Sequence, residues 1–470
     1  MTTIIQGPAI QKTISPVDGR IYVERTLAGF EQINETLRVA QHAFRGWRDT
    51  PLAQRAAIVT RFCAEFEKRG AEIATEITWQ MGRHARYAPN EVRGTLERAR
   101  HMIAIAPEAL ADVPVDAKEH FRRHIRREPL GVVFTIAAWN YPYLIAVNSV
   151  VPALMAGNVV VLKHSAQTPL CAERFDECFK AAGLPEGVFQ VLHVSHEDTD
   201  RIVRDPRVDF VAFTGSVAGG HAVQRAAASR FIGVGLELGG CDPVYVRHDA
   251  NLDHAIENIV DGAYFNSGQS CCGLQRVYVH HAVYPRFVDG FVDLTKKYAL
   301  GDPTNPQTTL GPLVRTAAAD GVRAQIAASI AAGARGVIAE QSFARSAAGS
   351  PYLAPQVLLD VNHAMPVMRE EIFGPVAGIM KVSSDDEAVD LMNDSDFGLT
   401  AAVWTEDEEA ASALGQRVST GTWFQNRCDY LDPALAWVGV KDSGRGCTLS
   451  KVGYEHLTRP KSFHLRTKTS

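Results

Sequence analysis

Beyond residue 131 the chain reads Val132-Val133-Phe134-Thr135-Ile136-Ala137-Ala138, and three further short runs rich in β-branched and aromatic residues follow: Val159 to Lys163, Phe189 to Val194 and Asp209 to Thr214. Helical stretches separate them. Continuous apolar runs of this length suit strands buried on both faces, and their alternation with helices calls for parallel strands joined by right-handed crossovers. The expected fold is therefore α/β, with a doubly wound sheet. Upstream, Ile33, Leu37, Phe44 and Trp47 lie near helical spacing, as do Ile58, Phe62 and Phe66 before Gly70, so two helices are expected between residues 30 and 70. A second series begins near Pro243, with strands Val244 to Arg247, Arg276 to His280 and Ala401 to Trp404 separated by helices such as Asn251 to Phe265. Two sheets imply two lobes with a cleft between them. Val113 to Glu128 alternates in polarity and reads as a hairpin belonging to neither core, and Glu455 to Ser470 reads as similarly extended.

Composition bounds the function. With 470 residues, of which 46% are hydrophobic and 21% charged, the chain is too long for one core and too apolar for disorder. A net charge of -5, with no basic stretch denser than His120 to Arg127, gives no reason to expect a nucleic-acid partner. Met1 to Ile10 lacks the basic and apolar regions of a secretory leader, and no window approaches a membrane span, so a cytoplasmic protein is expected. The eight cysteines are sparse and none forms a CxxC pair, which predicts reduced thiols. No HExxH run accompanies the sixteen histidines, and no metal centre is expected.

Three segments carry chemical interest. In Phe265-Asn266-Ser267-Gly268-Gln269-Ser270-Cys271-Cys272-Gly273, small residues let a thiol sit on a tight turn within reach of a substrate, although a free cysteine is as readily a core filler. Val234-Gly235-Leu236-Glu237-Leu238-Gly239-Gly240 puts one carboxylate in an apolar strand end, where it either caps backbone amides or acts as a base with a raised pKa. Ala138-Trp139-Asn140-Tyr141-Pro142 follows a buried strand, so Asn140 either shapes a turn or donates to an oxyanion at the carboxyl end of the sheet. Each segment alone leaves both readings open.

Together with Glu370-Glu371-Ile372-Phe373-Gly374-Pro375, these segments resemble the aldehyde dehydrogenase superfamily in composition, order and spacing, with 271 − 237 = 34 positions from Glu237 to Cys271. The similarity runs from about residue 14 to residue 463. The resemblance implies two doubly wound lobes: a Rossmann-like cofactor domain (1–112 and 130–240) and a catalytic domain (241–441). A small β element for oligomerisation (113–129 and 442–470) would bridge a homodimer or homotetramer. It implies that the Cys271 thiolate attacks an aldehyde, that the Asn140 amide and the backbone N–H of Cys271 hold the oxyanion, and that hydride passes to NAD or NADP. Glu237 then activates water to hydrolyse the thioester. Cys272 is read as a buried neighbour. For the cofactor, Phe213-Thr214-Gly215-Ser216-Val217-Ala218-Gly219-Gly220 matches the pyrophosphate loop, with Gly215, Ser216 and Gly220 as contacts. Trp139, Lys163, Ser165, Ala166, Leu238, Glu371 and Phe373 complete that set. By the same analogy Tyr141, Leu144, Asn148, Phe265 and Trp437 line a substrate tunnel suited to a small or medium aldehyde. Arg427 either meets a substrate carboxylate or forms a structural ion pair.

Departures from the family pattern are informative. After Lys163 the family continues Pro-Ser-Glu, whereas this chain reads His164-Ser165-Ala166. The carboxylate that would chelate the ribose and repel a 2′-phosphate is gone, and Lys163 with His164 would supply positive charge, so both NAD and NADP are expected to serve. Cys241 replaces a lysine, and Lys441 to Gly446 lacks the usual Arg-Glu pair, variations shared with bacterial branches that resemble succinate-semialdehyde or lactaldehyde dehydrogenases. Three rivals remain: a CoA-acylating semialdehyde dehydrogenase, which Glu237 argues against; a cysteine hydrolase, for which no segment nominates a histidine; and a catalytically silent binding protein of the same fold, which the set of Asn140, Glu237 and Cys271 argues against.

Overall fold

A computed structural model describes residues 9–469 of the chain. The apolar runs form strands Val132–Ala137, Val159–His164, Phe189–Val191 and Phe210–Thr214, and Gly233–Glu237 adds a fifth. These five are parallel and, numbered along the chain, lie in the order 5-4-1-2-3. Every residue of Val132–Ala137 and Val159–His164 is buried, as a parallel sheet under helical layers requires. Helices Phe30–Trp47, Pro142–Ala156, Pro169–Ala181 and Val217–Ala227 pack on these strands. The strand order reverses between Val132–Ala137 and Phe210–Thr214, so a crevice opens beyond their carboxyl ends.

The second sheet has seven strands in the order Arg335–Gly336, Gln356–Leu359, Val376–Val382, Leu274–His280, Asp242–Val246, Thr400–Trp404 and Thr422–Gln425, with only the first pair antiparallel. Its side chains alternate between two cores. Val244, Val246, Val277, Val279, Ala402 and Trp404 join one, and Tyr245, Tyr278, Ala401 and Val403 the other, which is the period-two signature of strands covered on both faces.

The link between the sheets sets the site. Gly233–Glu237 ends and Asp242–Val246 begins with only Leu238, Gly239, Gly240 and Cys241 between them. So short a crossing sets the carboxyl edge of the first sheet against the amino edge of the second. Outside both cores, Val113–Pro114, Phe121–Pro129 and Thr458–Arg466 form a three-stranded antiparallel sheet. One part of the expected bridging stretch lies elsewhere: Gly444–Arg445 pairs with Glu237 and Leu236 on the first sheet. Gly444, at φ +128, allows this, because a Cβ there would sit 1.9 Å from the Leu236 carbonyl oxygen. Among the described residues no helix is long and apolar enough to cross a membrane, and no cluster of His, Cys, Asp and Glu is placed to hold a metal ion.

Candidate active site

The thiol loop is wound tightly. After helix Leu252–Tyr264, Asn266, Ser267 and Gly268 adopt φ of 54°, 58° and 70°, three consecutive left-handed residues that turn the chain towards strand Leu274–His280. Such backbone is costly for Asn and Ser, and it persists because the surroundings hold it. Asn266 Nδ2 donates to the carbonyls of Asn140 (3.2 Å) and Gln269 (3.1 Å), and Gln269 Oε1 accepts the Val314 N–H at 2.8 Å. A Cβ on Gly268 would lie 2.1 Å from the Gly374 carbonyl oxygen, so this turn also fixes the Glu371 loop. Cys271 emerges part-buried, while Cys272 is buried, its Sγ 3.1 Å from Asp429 Oδ1. The Cys271 thiol beside it, together with burial, raises the Cys272 pKa well above the thiol range, so Cys272 is a protonated neighbour.

Glycines 239 and 240 let two acids and the thiol loop converge. A Cβ on Gly239 would meet Glu371 Oε2 at 2.3 Å, and one on Gly240 would meet the Cys271 carbonyl oxygen at 2.2 Å. Gly240 N–H donates to Glu371 Oε1 at 3.0 Å. Burial pushes Glu371 up to about 7. Burial pushes Glu237 further, to about 8, the nearby Trp437 and Thr448 side chains opposing it only in part. Its Oε2 has no hydrogen-bond partner. A carboxyl of this kind does not cap backbone amides, and it holds its proton up to an unusually high pH.

Asn140 is buried, and its Nδ2 lies 3.3 Å from the Gln269 carbonyl oxygen, two residues before the thiol. Its own carbonyl accepts from Arg83 Nη2 at 2.5 Å. Arg83 also reaches Asn266 Oδ1 at 3.2 Å and forms a fully buried ion pair with Glu91. Glu91 Oε1 in turn accepts the N–H groups of Tyr143 (2.9 Å) and Leu144 (3.1 Å), capping helix Pro142–Ala156. One ion pair thus ties the oxyanion amide, the thiol loop and a helix start together. Sequence reading missed Arg83 and Glu91, because a charge in a loop or on a helix reads as solvated; their only signal was position next to the apolar faces around Met81 and Val92.

Most of the residues expected to hold a cofactor follow the strands of the first sheet. Ser216 caps helix Val217–Ala227 by accepting from the Gly219 N–H, and Gly220 leaves room for Leu238, since a Cβ there would be 2.7 Å from Leu238 Cδ2. Trp139 and Phe373 meet edge to face, with ring centroids 5.7 Å apart. Lys163 is 8% exposed, makes no hydrogen bond or ion pair among the described residues, and has its pKa lowered by burial. An ammonium so placed fits a cofactor's hydroxyl or phosphate oxygens. Ser165 Oγ accepts from Gln167 N–H, and the exposed Ala166 offers no carboxylate. His164 departs from expectation: Nε2 lies 3.1 Å from the Pro142 carbonyl oxygen and Nδ1 3.0 Å from Thr168 Oγ1. Burial lowers it to about 3, so it is neutral and supplies no charge to a 2′-phosphate.

A cavity of about 400 Å³ joins the parts, lined by Cys271, Glu237 and Leu238 together with Tyr141, Leu144, Asn148, Phe265 and Trp437. Asn140 is not in the wall but adjoins the thiol loop, its amide reaching the Gln269 carbonyl. Arg427 is not in the wall; its guanidinium lies 3.8 Å from the ring centroid of Tyr430, which is, and it forms no ion pair among the described residues. Arg98, Asp429, Cys447 and Thr448 line the cavity without having been singled out in the sequence.

A thiol and a carboxyl opening on one cavity, beside a doubly wound sheet with a ligand crevice, are the geometry of a nucleotide-dependent enzyme site. The aldehyde dehydrogenase family model matches residues 6–463. The NADP(+) succinate-semialdehyde dehydrogenase of Mycobacterium avium is 34% identical over 467 residues, covering 97% of each chain. An aldehyde dehydrogenase of Paenarthrobacter nicotinovorans is 36% identical, over 92% of this chain and 94% of its own. Among solved structures, succinic semialdehyde dehydrogenase from Streptococcus pyogenes in complex with NADP+ superposes with a TM-score of 0.93 at 28% identity, over 97% of this chain and all of that one. The chain belongs to the aldehyde dehydrogenase family, and it oxidises aldehydes to carboxylic acids with NAD or NADP.

Proposed function

We propose that Cys271 is the nucleophile and Glu237 the hydrolytic base, a reading carried by their shared cavity. Cys271 Sγ adds to the aldehyde carbon, and the oxyanion that develops takes hydrogen bonds from Asn140 Nδ2 and the Cys271 N–H. Each such donor is worth about 3 kcal/mol in the transition state. NAD or NADP, when bound, supplies the acceptor for the hydride whose departure leaves a thioester on Cys271. Glu237 then takes a proton from water as the water oxygen attacks the thioester carbon, and the acid leaves as the thiolate is restored. Glu371, Gly215, Ser216, Gly220, Leu238, Trp139 and Phe373 hold the cofactor, with Lys163, Ser165 and Ala166 at its adenosine end. With Ala166 offering no repulsion and Lys163 a charge, NAD and NADP are both accepted. Retention of Glu237 favours water over coenzyme A as the acyl acceptor.

The names of the relatives make succinate semialdehyde the first aldehyde to test. Residues 1–112 with 130–240 would serve as the cofactor domain and 241–441 as the catalytic domain. The strands Phe121–Pro129 and Thr458–Arg466, which pair outside both cores, would bridge subunits of a homodimer or homotetramer. Cys271→Ala tests the central reading: reduced nicotinamide formation should vanish in an absorbance assay while cofactor still binds. Normal turnover by that variant refutes the assignment.

A further inference from the structure

Arg98 takes no part in the steps above. It projects from helix Ala88–Ala109, is 8% exposed, and lines the cavity that holds Cys271 and Glu237. Its Nη1 donates to the Leu144 carbonyl at 2.9 Å and to Asn148 Oδ1 at 3.2 Å. Those bonds use one corner of the guanidinium. Among the described residues no carboxylate lies within the 4.0 Å of an ion pair, and Nε and Nη2, which present two parallel N–H groups along one edge, have no hydrogen-bond partner. Because a guanidinium does not shed its proton in proteins, the charge stays, and burial without a counter-ion is costly. Desolvation accordingly lowers its pKa.

The acids around Arg98 are committed elsewhere. Glu91 is bound to Arg83 and to two amides. Glu97 accepts the Tyr430 hydroxyl at 2.7 Å. Asp429 accepts from Cys272, and burial holds it up at about 7. The other cations in the wall, Arg93 and Arg445, are exposed. Two adjacent unpartnered donors on a residue that lines a cavity are matched by the two oxygens of a planar carboxylate. Asn148 Nδ2, also without a partner among the described residues, faces the same space once Oδ1 is turned to Arg98. Leu144, Ile145, Phe265 and Leu431 supply apolar wall for the methylenes of a short substrate.

We propose that the free Nε/Nη2 edge of Arg98, seconded by Asn148, binds a carboxylate at the far end of the aldehyde, so that the enzyme selects short ω-oxo acids over neutral aldehydes. This rests on Cys271 as the nucleophile, since the subsite is defined by its place in that cavity. Arg98 is thus a specificity-determining residue, and its loss acts on KM for one class of substrate. A neutral aldehyde of the same length leaves the charge unpaired, the arrangement by which a polar site rejects an analogue lacking the matching group.

The test compares 4-oxobutanoate, its methyl ester and butanal as substrates of wild type, Arg98→Met and Arg98→Lys. Wild type should favour 4-oxobutanoate over the ester and butanal by about a hundredfold in kcat/KM. In Arg98→Met, kcat/KM for 4-oxobutanoate should fall at least thirtyfold, mostly through KM, with butanal within threefold of wild type; Arg98→Lys should recover part of the loss. A parallel fall for all three substrates shows a brace between two helices and overturns the proposal, as does no change. Should Arg98→Met fail to fold, the wild-type comparison decides: equal kcat/KM for oxo acid and ester overturns the subsite while leaving the Cys271 reading intact. No oxidation of any aldehyde by wild type removes both.

Discussion

Replacing Glu237 by Gln keeps the shape of the side chain and removes its capacity to take a proton. With this carboxyl pushed up to about 8 by burial, the ionised base is ~1% of the population at pH 6 and ~50% at pH 8. A hydrolytic step that needs the base therefore accelerates ~50-fold between those values and levels off above about pH 9. Rapid mixing of enzyme, cofactor and aldehyde reads this directly, because hydride transfer gives a burst of reduced nicotinamide and hydrolysis sets the slope that follows. In Glu237→Gln the burst should remain, the slope should fall about 10²–10⁴-fold, and its climb with pH should disappear. Stability supplies an independent reading. The folded pKa lies above the ordinary value of 4.5, so the wild type is fully stable with respect to this group below about 4.5 and loses stability as pH rises towards 8. At 1.36 kcal/mol per tenfold, the loss is at most ~5 kcal/mol, lowered by water entry and relaxation. Glu237→Gln should thus unfold at higher temperature than wild type at pH 9 and differ little at pH 5. An unchanged pH climb in the variant, or a lost burst with hydrolysis intact, refutes the reasoning.

Three further outcomes follow from the same geometry. Gly239→Ala should raise the cofactor KM at least tenfold with thermal unfolding little changed, because its Cβ would push Glu371, 2.3 Å away, off the Gly240 N–H; steady-state kinetics at saturating aldehyde measures it. Arg83→Leu leaves Glu91 buried without its counter-ion and should cost about 3–5 kcal/mol in denaturant unfolding, while Arg83→Leu with Glu91→Leu should recover part of that. Kinetics with the two cofactors should give kcat/KM values within about tenfold of each other, and a preference for NAD beyond about a thousandfold would contradict the role given to Ala166.

Much of this molecule was legible in its sequence because parallel strands buried on both faces write themselves as unbroken apolar runs. Val132–Ala137 and Val159–His164 are such strands, and their ends gave the positions of Asn140 and Lys163. The thiol loop was legible for a different reason, since only small residues tolerate the winding at 266–268 and the approaches at Gly239 and Gly240. What stayed hidden depends on the third dimension. Glu91 and Arg98 lie in a helical stretch where a charge is ordinarily solvated, and the packing of Ala88–Ala109 against Pro142–Ala156 turns them inward, while Arg83, in the loop before that helix, is buried against Glu91. His164 was misread for the same reason: a histidine at a strand end looks available, but this ring is enclosed and bonded on both nitrogens. Arg427, beyond a strand expected to reach the site, stacks on Tyr430 at the cavity wall, a contact that the sequence did not show.

The buried charges divide into two kinds, and the division separates what builds the site from what the site is for. Arg83 and Glu91 satisfy each other and the backbone around them, and Arg276 spends its donors on the carbonyls of Cys241, Leu391 and Met392. These groups hold loops in place and have little left to offer a ligand. Lys163, Glu237 and Arg98 have no counter-ion among the described residues, each with its pKa displaced towards the neutral form. Folding alone gives no return for that cost, since an apolar side chain of the same volume would be more stable in each place. The return comes on binding, and the three are spaced for three different tasks: Lys163 beside the crevice of the first sheet, Glu237 where the sheets meet, and Arg98 on the helix that closes the cavity from the far side. Three charges left without counter-ions, one at the crevice, one at the sheet junction and one on the cavity wall, are stability given up in favour of binding.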